Sequence, residues 1–389
     1  MNSFTQMSAI LRLHLRTLRS RRKSTLVVVT SLAAVVCTSL SLLSMGEGIR
    51  VGYARSGNND IAIVQPPSDG DRIPEALIPD VSSAPQVLRT QDGAPVIDSE
   101  VAALITLTKK DGDPGYTAIM GIGQNGPRVT PRFRLVSGRL PDPDAGELLV
   151  GRTAQEKFAS LRVGDTVSVL DTPWRVVGVF ATDSFLDGNI ISGTAYLSRA
   201  LQQAKSYVPH LRSSYSLLVG LSTPASLTGL RDRLRQKWPA YRVQSTSDLW
   251  RQRFEALPLN MVVIDLVITT LVGLGAFSAT FHIMESVIAD RAEEIAVLRA
   301  IGYSGALVAT SFVIDAMILA ILGAGLGTAV DWAWLDGHPL NGAYGVFRVR
   351  VDVWMFAIGS VWSLAIALLG AVIPASRMAR VPIAEAIAA

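Results

Sequence analysis

Residues 121–126 read Gly-Ile-Gly-Gln-Asn-Gly. In a dinucleotide fold this spacing bends a strand into a helix whose N-terminus meets a pyrophosphate. Here Pro127 and Pro131 follow, and Pro127–Arg134 predicts extended chain, so a Gly/Asn turn between strands is the expectation. No Gly-Lys pair occurs in the 389 residues, which excludes a phosphate-cradling G-x-x-x-x-G-K-[ST] loop from them; H-E-x-x-H and G-x-S-x-G are absent too. The histidines His14, His210, His282 and His338 fall in four different segments, without metal-ligand spacing. The sequence offers no catalytic residue, no metal site and no cofactor bound by this chain.

Two carboxylates stand out because they lie in apolar runs, where a charge is costly unless paired or reached by water. Asp265 is near the outer end of its run, which favours a structural role. Asp315 lies deeper and is divided between a packing hydrogen bond and a coupling role. Gly323, Gly325 and Gly327 follow it. The Gly323-x-x-x-Gly327 spacing permits close helix approach, to another helix of the same chain or to a second copy.

The elements that must carry these groups are four runs: Thr25–Gly46, Leu266–Met284, Ala306–Val330 and Val353–Ser376. Their ionisable side chains are Cys37, His282 and Asp315, and each run can cross a hydrocarbon core of about 30 Å as a helix. Charged residues make up 17% of the chain, against about 25% in soluble domains. The first run follows basic residues, as in a signal peptide, but no A-x-A-like site follows Leu42–Met45, so an uncleaved anchor is expected.

Residues 1–23 hold Arg12, Arg16, Arg19, Arg21, Arg22 and Lys23 and no acid. Removing these six from the 36 basic residues leaves 30 against 32 acidic, so the net charge of +4 comes from this segment. Such a cluster before a first span marks the cytoplasmic side and can touch anionic lipid headgroups. It is not spread over a folded face, which argues against nucleic acid as a partner. The single cysteine, Cys37, forms no intrachain disulfide.

The predicted fold is a membrane protein of four transmembrane α-helices, with a large α+β extracytoplasmic domain inserted between helices 1 and 2. Its parts are a basic cytoplasmic N-terminus (1–24), helix 1 (25–46), the outer domain with its stalk (47–258) and helix 2 (259–284). A cytoplasmic helix (285–305), helix 3 (306–330), an extracytoplasmic hairpin (331–352), helix 4 (353–374) and a cytoplasmic tail (375–389) complete it. Within the outer domain, Pro66–Pro95 reads as loop. Leu148–Val150, Thr166–Leu170 and Trp174–Phe180 read as strands and Thr153–Leu161 as a short helix. Tyr215–Leu221, Pro224–Trp238 and Tyr241–Gln244 form a strand–helix–strand unit, and Ser247 is expected to cap a helix over Asp248–Leu257.

Between spans two and three, Ile288, Ala292, Ile295, Leu298 and Gly302 fall on one stripe at helical spacing. Glu285, Asp290, Arg291, Glu293, Glu294 and Arg299 occupy the rest of the surface. Gly302 ends this helix and Ser304 can cap the next. Helices that lie on a membrane usually carry basic polar faces. This one is acidic on balance, which fits protein docking better.

The run Ala289-Asp-Arg-Ala-Glu-Glu-Ile-Ala-Val-Leu-Arg-Ala-Ile-Gly-Tyr-Ser resembles the signature loop of the FtsX-like (MacB-like) permeases of ABC transporters. Arg291, Glu294, Ile295, Arg299, Ala300, Ile301 and Gly302 match its R-x-x-E-I-(A/G)-x-L-(R/K)-A-(I/L)-G form. The family's acidic residue and Gly-rich stretch in the third span resemble Asp315 and Gly323–Gly327. Its tail is similar to Pro374-Ala-Ser-Arg377-Met-Ala-Arg380-Val-Pro382-Ile-Ala-Glu385-Ala-Ile387. Ser137-Gly-Arg-Leu-Pro, Glu147-Leu-Leu-Val-Gly, Arg162-Val-Gly-Asp-Thr-Val and Trp174-Arg-Val-Val-Gly-Val-Phe look like its extracytoplasmic core domain. The 60–130 region departs most.

The resemblance implies a non-enzymatic permease subunit in the bacterial inner membrane. A separate ABC ATPase would carry the ATP and Mg and dock on Ile288, Arg291, Glu294, Ile295, Leu298, Arg299 and Gly302. It also implies a second permease copy or a sister permease, and mechanotransmission to the outer domain. Export with a periplasmic adaptor and an outer-membrane channel is the leading reading. Lipoprotein or lipid extraction, activation of a cell-wall hydrolase, and an ATPase-independent scaffold or sensor are the alternatives.

Overall fold

The computed structural model describes residues 22–68, 70–206, 211–255, 304–342 and 345–380, with scattered positions from 267 to 301. Helix α1 spans Arg22–Ser56, and strand β1 Ile61–Gln65 follows. A short α2 (Leu77–Ser82) interrupts the Pro-rich segment expected to be loop, because Leu77, Val81, Ala84 and Val87 turn inward as one apolar cluster. Strands β2 (Ile97–Thr108) and β3 (Pro114–Ile122), helix α3 (Gly126–Val129) and strands β4 (Arg134–Gly138) and β5 (Glu147–Gly151) come next. Then run α4 (Arg152–Lys157), β6 (Thr166–Val169), β7 (Thr172–Ala181), a 3-10 turn at Phe185–Gly188, β8 (Ile190–Gly193) and α5 (Thr194–Lys205). They are followed by β9 (Ser213–Gly220), α6 (Ser226–Lys237), β10 (Arg242–Ser245), α7 (Thr246–Glu255) and α8 (Gly305–Leu335). A hairpin of β11 (Pro339–Gly342) and β12 (Gly345–Arg348) and helix α9 (Val353–Arg380) close the chain.

The chain divides into two units. The first comprises 1–46, 258–336 and 350–389. Among the described residues, three helices are long and apolar enough to cross a membrane: Val29–Ser56, Gly305–Leu335 and Val353–Pro374. The second expected span falls largely outside the described residues. Two of these helices continue beyond the runs read as spans, α1 to Ser56 and α8 to Leu335. Helix α9 runs through Pro374 to Arg380, residues expected to begin a tail. Ser304 caps α8 as predicted, its hydroxyl accepting from the Leu307 amide at 3.3 Å.

Small residues set the spacing inside this unit. A Cβ at Gly323 would lie 2.8 Å from the Leu32 Cβ, and one at Gly327 would lie 2.6 Å from the Ala33 carbonyl oxygen. At Gly359 it would meet Val36 at 2.8 Å. The core is Leu32, Val35, Leu319, Ala320, Ile366 and Ala367, and Ser363 donates to the Ala320 carbonyl at 2.9 Å. Ile321, Leu322, Val361 and Leu369 stay exposed, as lipid-facing residues would. Trp332 and Trp334 at the end of α8 and Trp354 at the start of α9 are also exposed. Indoles gather where hydrocarbon meets headgroups, and these three have the exposure expected of residues at such a boundary.

The second unit comprises 47–257 and 337–349. Its mixed ten-stranded sheet has the order β10-β1-β9-β2-β3-β8-β5-β7-β4, with β6 paired to β7. The β3–β8 and β5–β7 pairs are parallel and the others antiparallel. The strand–helix–strand unit forms as read, and β1 inserts between its two strands. One face buries Val101, Ala103, Ile105, Ile119, Leu148 and Trp174 beneath α5, and Val64, Leu217, Val219 and Val243 beneath α6. Burial of apolar surface contributes about 25 cal/mol per Å², and these are the two largest buried clusters among the described residues. The β11–β12 hairpin belongs here through buried Val346 and through Arg348, which meets Glu156 at 2.6 Å and Thr153 at 3.1 Å.

Candidate functional site

The residues predicted to dock an ATPase, Ile288, Arg291, Glu294, Ile295, Leu298, Arg299 and Gly302, lie outside the described residues, as does Asp265. Asp315 is buried within α8. The sequence reading missed a second carboxylate on the same helix, Asp331, one residue beyond the predicted end of the span. It is 1% exposed and accepts hydrogen bonds from Ser41 at 2.8 Å and from the Cys37 thiol at 3.3 Å. Its membership of α8 could have been read from the apolar Trp332-Ala-Trp334-Leu335 that follows.

Backbone amides of the Gly121–Gly126 turn are spent within the fold. Asp98 already occupies its amides, accepting from Gly123 at 2.8 Å and Asn125 at 3.2 Å. A Cβ at Gly123 would meet the Asp98 Oδ1 at 2.5 Å, so the glycine is required by this carboxylate. The segment after it departs from the extended chain expected, because Gly126–Val129 forms one turn of helix. Val129, 1% exposed, packs with Ile61, Ile63, Val96 and Leu218.

In the sheet unit, the last turns of α1 and the first turn of α7 meet beside the second sheet face at a joint. The Asn58 amide donates to the Thr246 hydroxyl and that hydroxyl donates to the Asn58 carbonyl, both at 2.9 Å. Gly57 lies so close that a Cβ there would sit 2.5 Å from the Ser247 Cα. The cap of α7 is Ser245, whose hydroxyl accepts from the Asp248 amide at 3.0 Å; the cap expected at Ser247 is two residues too late. Tyr53 packs on Phe185 at 4.7 Å and edge-on to Trp250 at 5.3 Å. Such aromatic pairs hold their elements by about 0.5–1.5 kcal/mol each beyond area burial.

Beside the joint is a cavity of about 460 Å³. Its floor is the same sheet face, with Ile63, Leu218, Ala102 and Met120 among its apolar residues and Tyr53, Phe185 and Trp250 at one side. Glu100 projects from β2 opposite Ser216 on β9. Burial pushes the Glu100 carboxyl up to about 7, against the opposing pull of Arg253 and the Ser216 hydroxyl and with help from Asp98. Burial also pushes Asp98 up to about 6, despite its two backbone donors. The sequence signal for this pair is an acid at every second position, Asp98 and Glu100, which puts both on one face of a strand.

Comparison with known proteins gives two matches that together cover most of the chain. A MacB-like periplasmic core domain matches residues 24–237, and an FtsX-like permease C-terminal domain matches 266–383. The macrolide export ATP-binding/permease protein MacB of Bordetella avium (strain 197N) is 25% identical over 408 residues, covering 98% of this chain and 60% of that protein. Its namesake in Shewanella oneidensis is 21% identical over 399 residues, covering 97% and 60%. The chain therefore spans about 60% of the length of these curated relatives. The periplasmic region of MacB from Actinobacillus actinomycetemcomitans aligns with a TM-score of 0.34 and 15% identity, covering 54% of this chain and 99% of that one.

Proposed function

This chain belongs to the MacB-like, FtsX-like permease family of ABC transporters, and from that premise we propose that it couples ATP hydrolysis by an ABC ATPase to movement of its sheet unit. The ATPase would dock on the 285–302 helix, with Ile288, Ile295 and Leu298 as apolar anchors. Arg291, Glu294 and Arg299 would fix its register. A second permease copy, or a sister permease, would complete the assembly in the inner membrane, with the sheet unit on the extracytoplasmic side. ATP-driven export of a periplasmic or outer-leaflet substrate is the job this arrangement suits, in keeping with the relatives named for macrolide export.

One observation carries the mechanical part. α1 and α7 are pinned to each other at Asn58 and Thr246 and clamped by Tyr53, Phe185 and Trp250. Packed interiors transmit strain instead of absorbing it, so axial displacement of either helix reaches β1 and β10 directly. The test is the double variant I295D/L298D, co-expressed with the cognate ATPase. It should insert normally and lose stimulation of ATP hydrolysis. Stimulation equal to that of the unaltered chain would reject the docking helix.

A further inference from the structure

The cavity beside the helix–sheet joint has a composition that the coupling function does not use. Its volume of about 460 Å³ lies within the roughly 300–1,000 Å³ typical of small-molecule sites, and its lining is predominantly apolar. Small side chains, Ala102 and Ala118, face it from neighbouring strands where larger ones would fill it. Aromatic rings of Tyr53, Phe185 and Trp250 wall one side.

Glu100 and Arg253 are the charged groups among the described lining residues. They are not equivalent. Arg253 is exposed and stacks its guanidinium over the Trp250 ring at 5.1 Å, so water and the indole already stabilise it. Glu100 is half-buried on the cavity floor, with the Ser216 hydroxyl facing it from β9, Asp98 adjacent on its own strand and Arg253 reaching it only through space from α7. Glu100 and Arg253 form no ion pair, and a carboxylate in apolar surroundings that lacks one favours a ligand that supplies the cation.

We propose that this cavity is a binding site for an amphipathic monocation, whose charged group pairs with Glu100 and whose apolar body lies against the Tyr53–Phe185–Trp250 wall. The inference does not rest on the coupling reading, because ligand binding is measured without any ATPase. Occupancy would bear on Trp250 and Tyr53, residues of the two helices at the joint. The ionised carboxylate is the binding form. Glu100 titrates near 7, so affinity rises through neutral pH and falls by about tenfold for each unit well below it.

The test uses two isosteric probes of opposite permanent charge, tetraphenylphosphonium and tetraphenylborate, with the full chain in lipid nanodiscs and empty nanodiscs as the reference. Equilibrium dialysis should find saturable tetraphenylphosphonium binding at one site per chain, preferred over the anion and weakening from pH 8 to pH 6. Glu100→Gln, close in shape, should weaken the cation about tenfold or more and leave only the slight pH dependence of the neighbouring Asp98. Ala118→Phe should block both probes by filling the space. Cation uptake no greater than that of empty nanodiscs, equal affinity for the two probes, or unchanged binding in E100Q would overturn the proposal. If either variant fails to fold, the charge preference and pH profile of the unaltered chain still decide it.

Discussion

Asp98 and Glu100 are neighbours on one face of β2, yet burial uses them differently. Asp98 is 5% exposed and spends both oxygens on the amides of Gly123 and Asn125, which fixes the turn after β3. Glu100 lines the cavity, with the Ser216 hydroxyl as its hydrogen-bond partner and Arg253 acting through space. In an unfolded chain both groups titrate near 4. In the fold they titrate near 6 and 7, so the native state holds the extra protons. The stability these protonated groups contribute is complete below about pH 4 and is lost as pH rises through the folded values. E100Q keeps the neutral shape without the titration. It should therefore match the unaltered chain at pH 5 and exceed it at pH 8, by on the order of 1 kcal/mol once solvent screening of a half-exposed group is allowed for. Thermal unfolding at the two pH values checks this, and a variant effect identical at both would show that the carboxyl is fully hydrated.

At the scale of elements, packing of α1 against α8 depends on which face each glycine occupies. Gly327 meets the Ala33 carbonyl and the Cys37 amide, backbone groups that cannot swing aside, whereas nothing lies within 4 Å of the position a Cβ would take at Gly325. Gly327→Ala should lower the melting temperature of the purified chain, by about 1–3 kcal/mol of overpacking. Gly325→Ala should leave it unchanged or raise it slightly through helix propensity. Equal effects would mean that α1 and α8 do not meet along this face. The Gly-x-x-x-Gly spacing was legible in sequence, as were three of the long helices and the β9–α6–β10 unit, where apolar runs and an amphipathic period coincide. β2 was not. Its buried face of Val101, Ala103, Ile105 and Leu107 alternates with Ala102 and Leu104, so both faces look apolar and the period of two is blurred. That second face is the cavity floor, so the feature that hid the strand is the one that makes the site. The joint was half legible: α7 could be read, though with its cap two residues late, but its contact with Asn58 and Tyr53 joins segments nearly 200 residues apart.

For the whole molecule, the question is which side of the membrane the sheet unit faces. Six basic residues and no acid precede the end of residue 23, and the later short segments, with two arginines each, do not oppose them. Under the orientation proposed above, this cluster would hold the N-terminus in the cytoplasm. One crossing by α1 would then put the sheet unit, to which the β11–β12 hairpin belongs, outside. The three exposed tryptophans flanking the hairpin agree with a membrane boundary there. The chain's single cysteine makes this testable with little disturbance. Cys37→Ser keeps a hydroxyl donor for Asp331 where the thiol stood at 3.3 Å. In that background, Gln91→Cys lies on an exposed turn of the sheet unit and Ser20→Cys lies in the basic segment. A membrane-impermeant maleimide applied to spheroplasts should label the cysteine at 91 at once and the one at 20 only after permeabilisation. The opposite pattern would invert the molecule, place the 285–302 helix outside the cell and remove the ATPase from its reach.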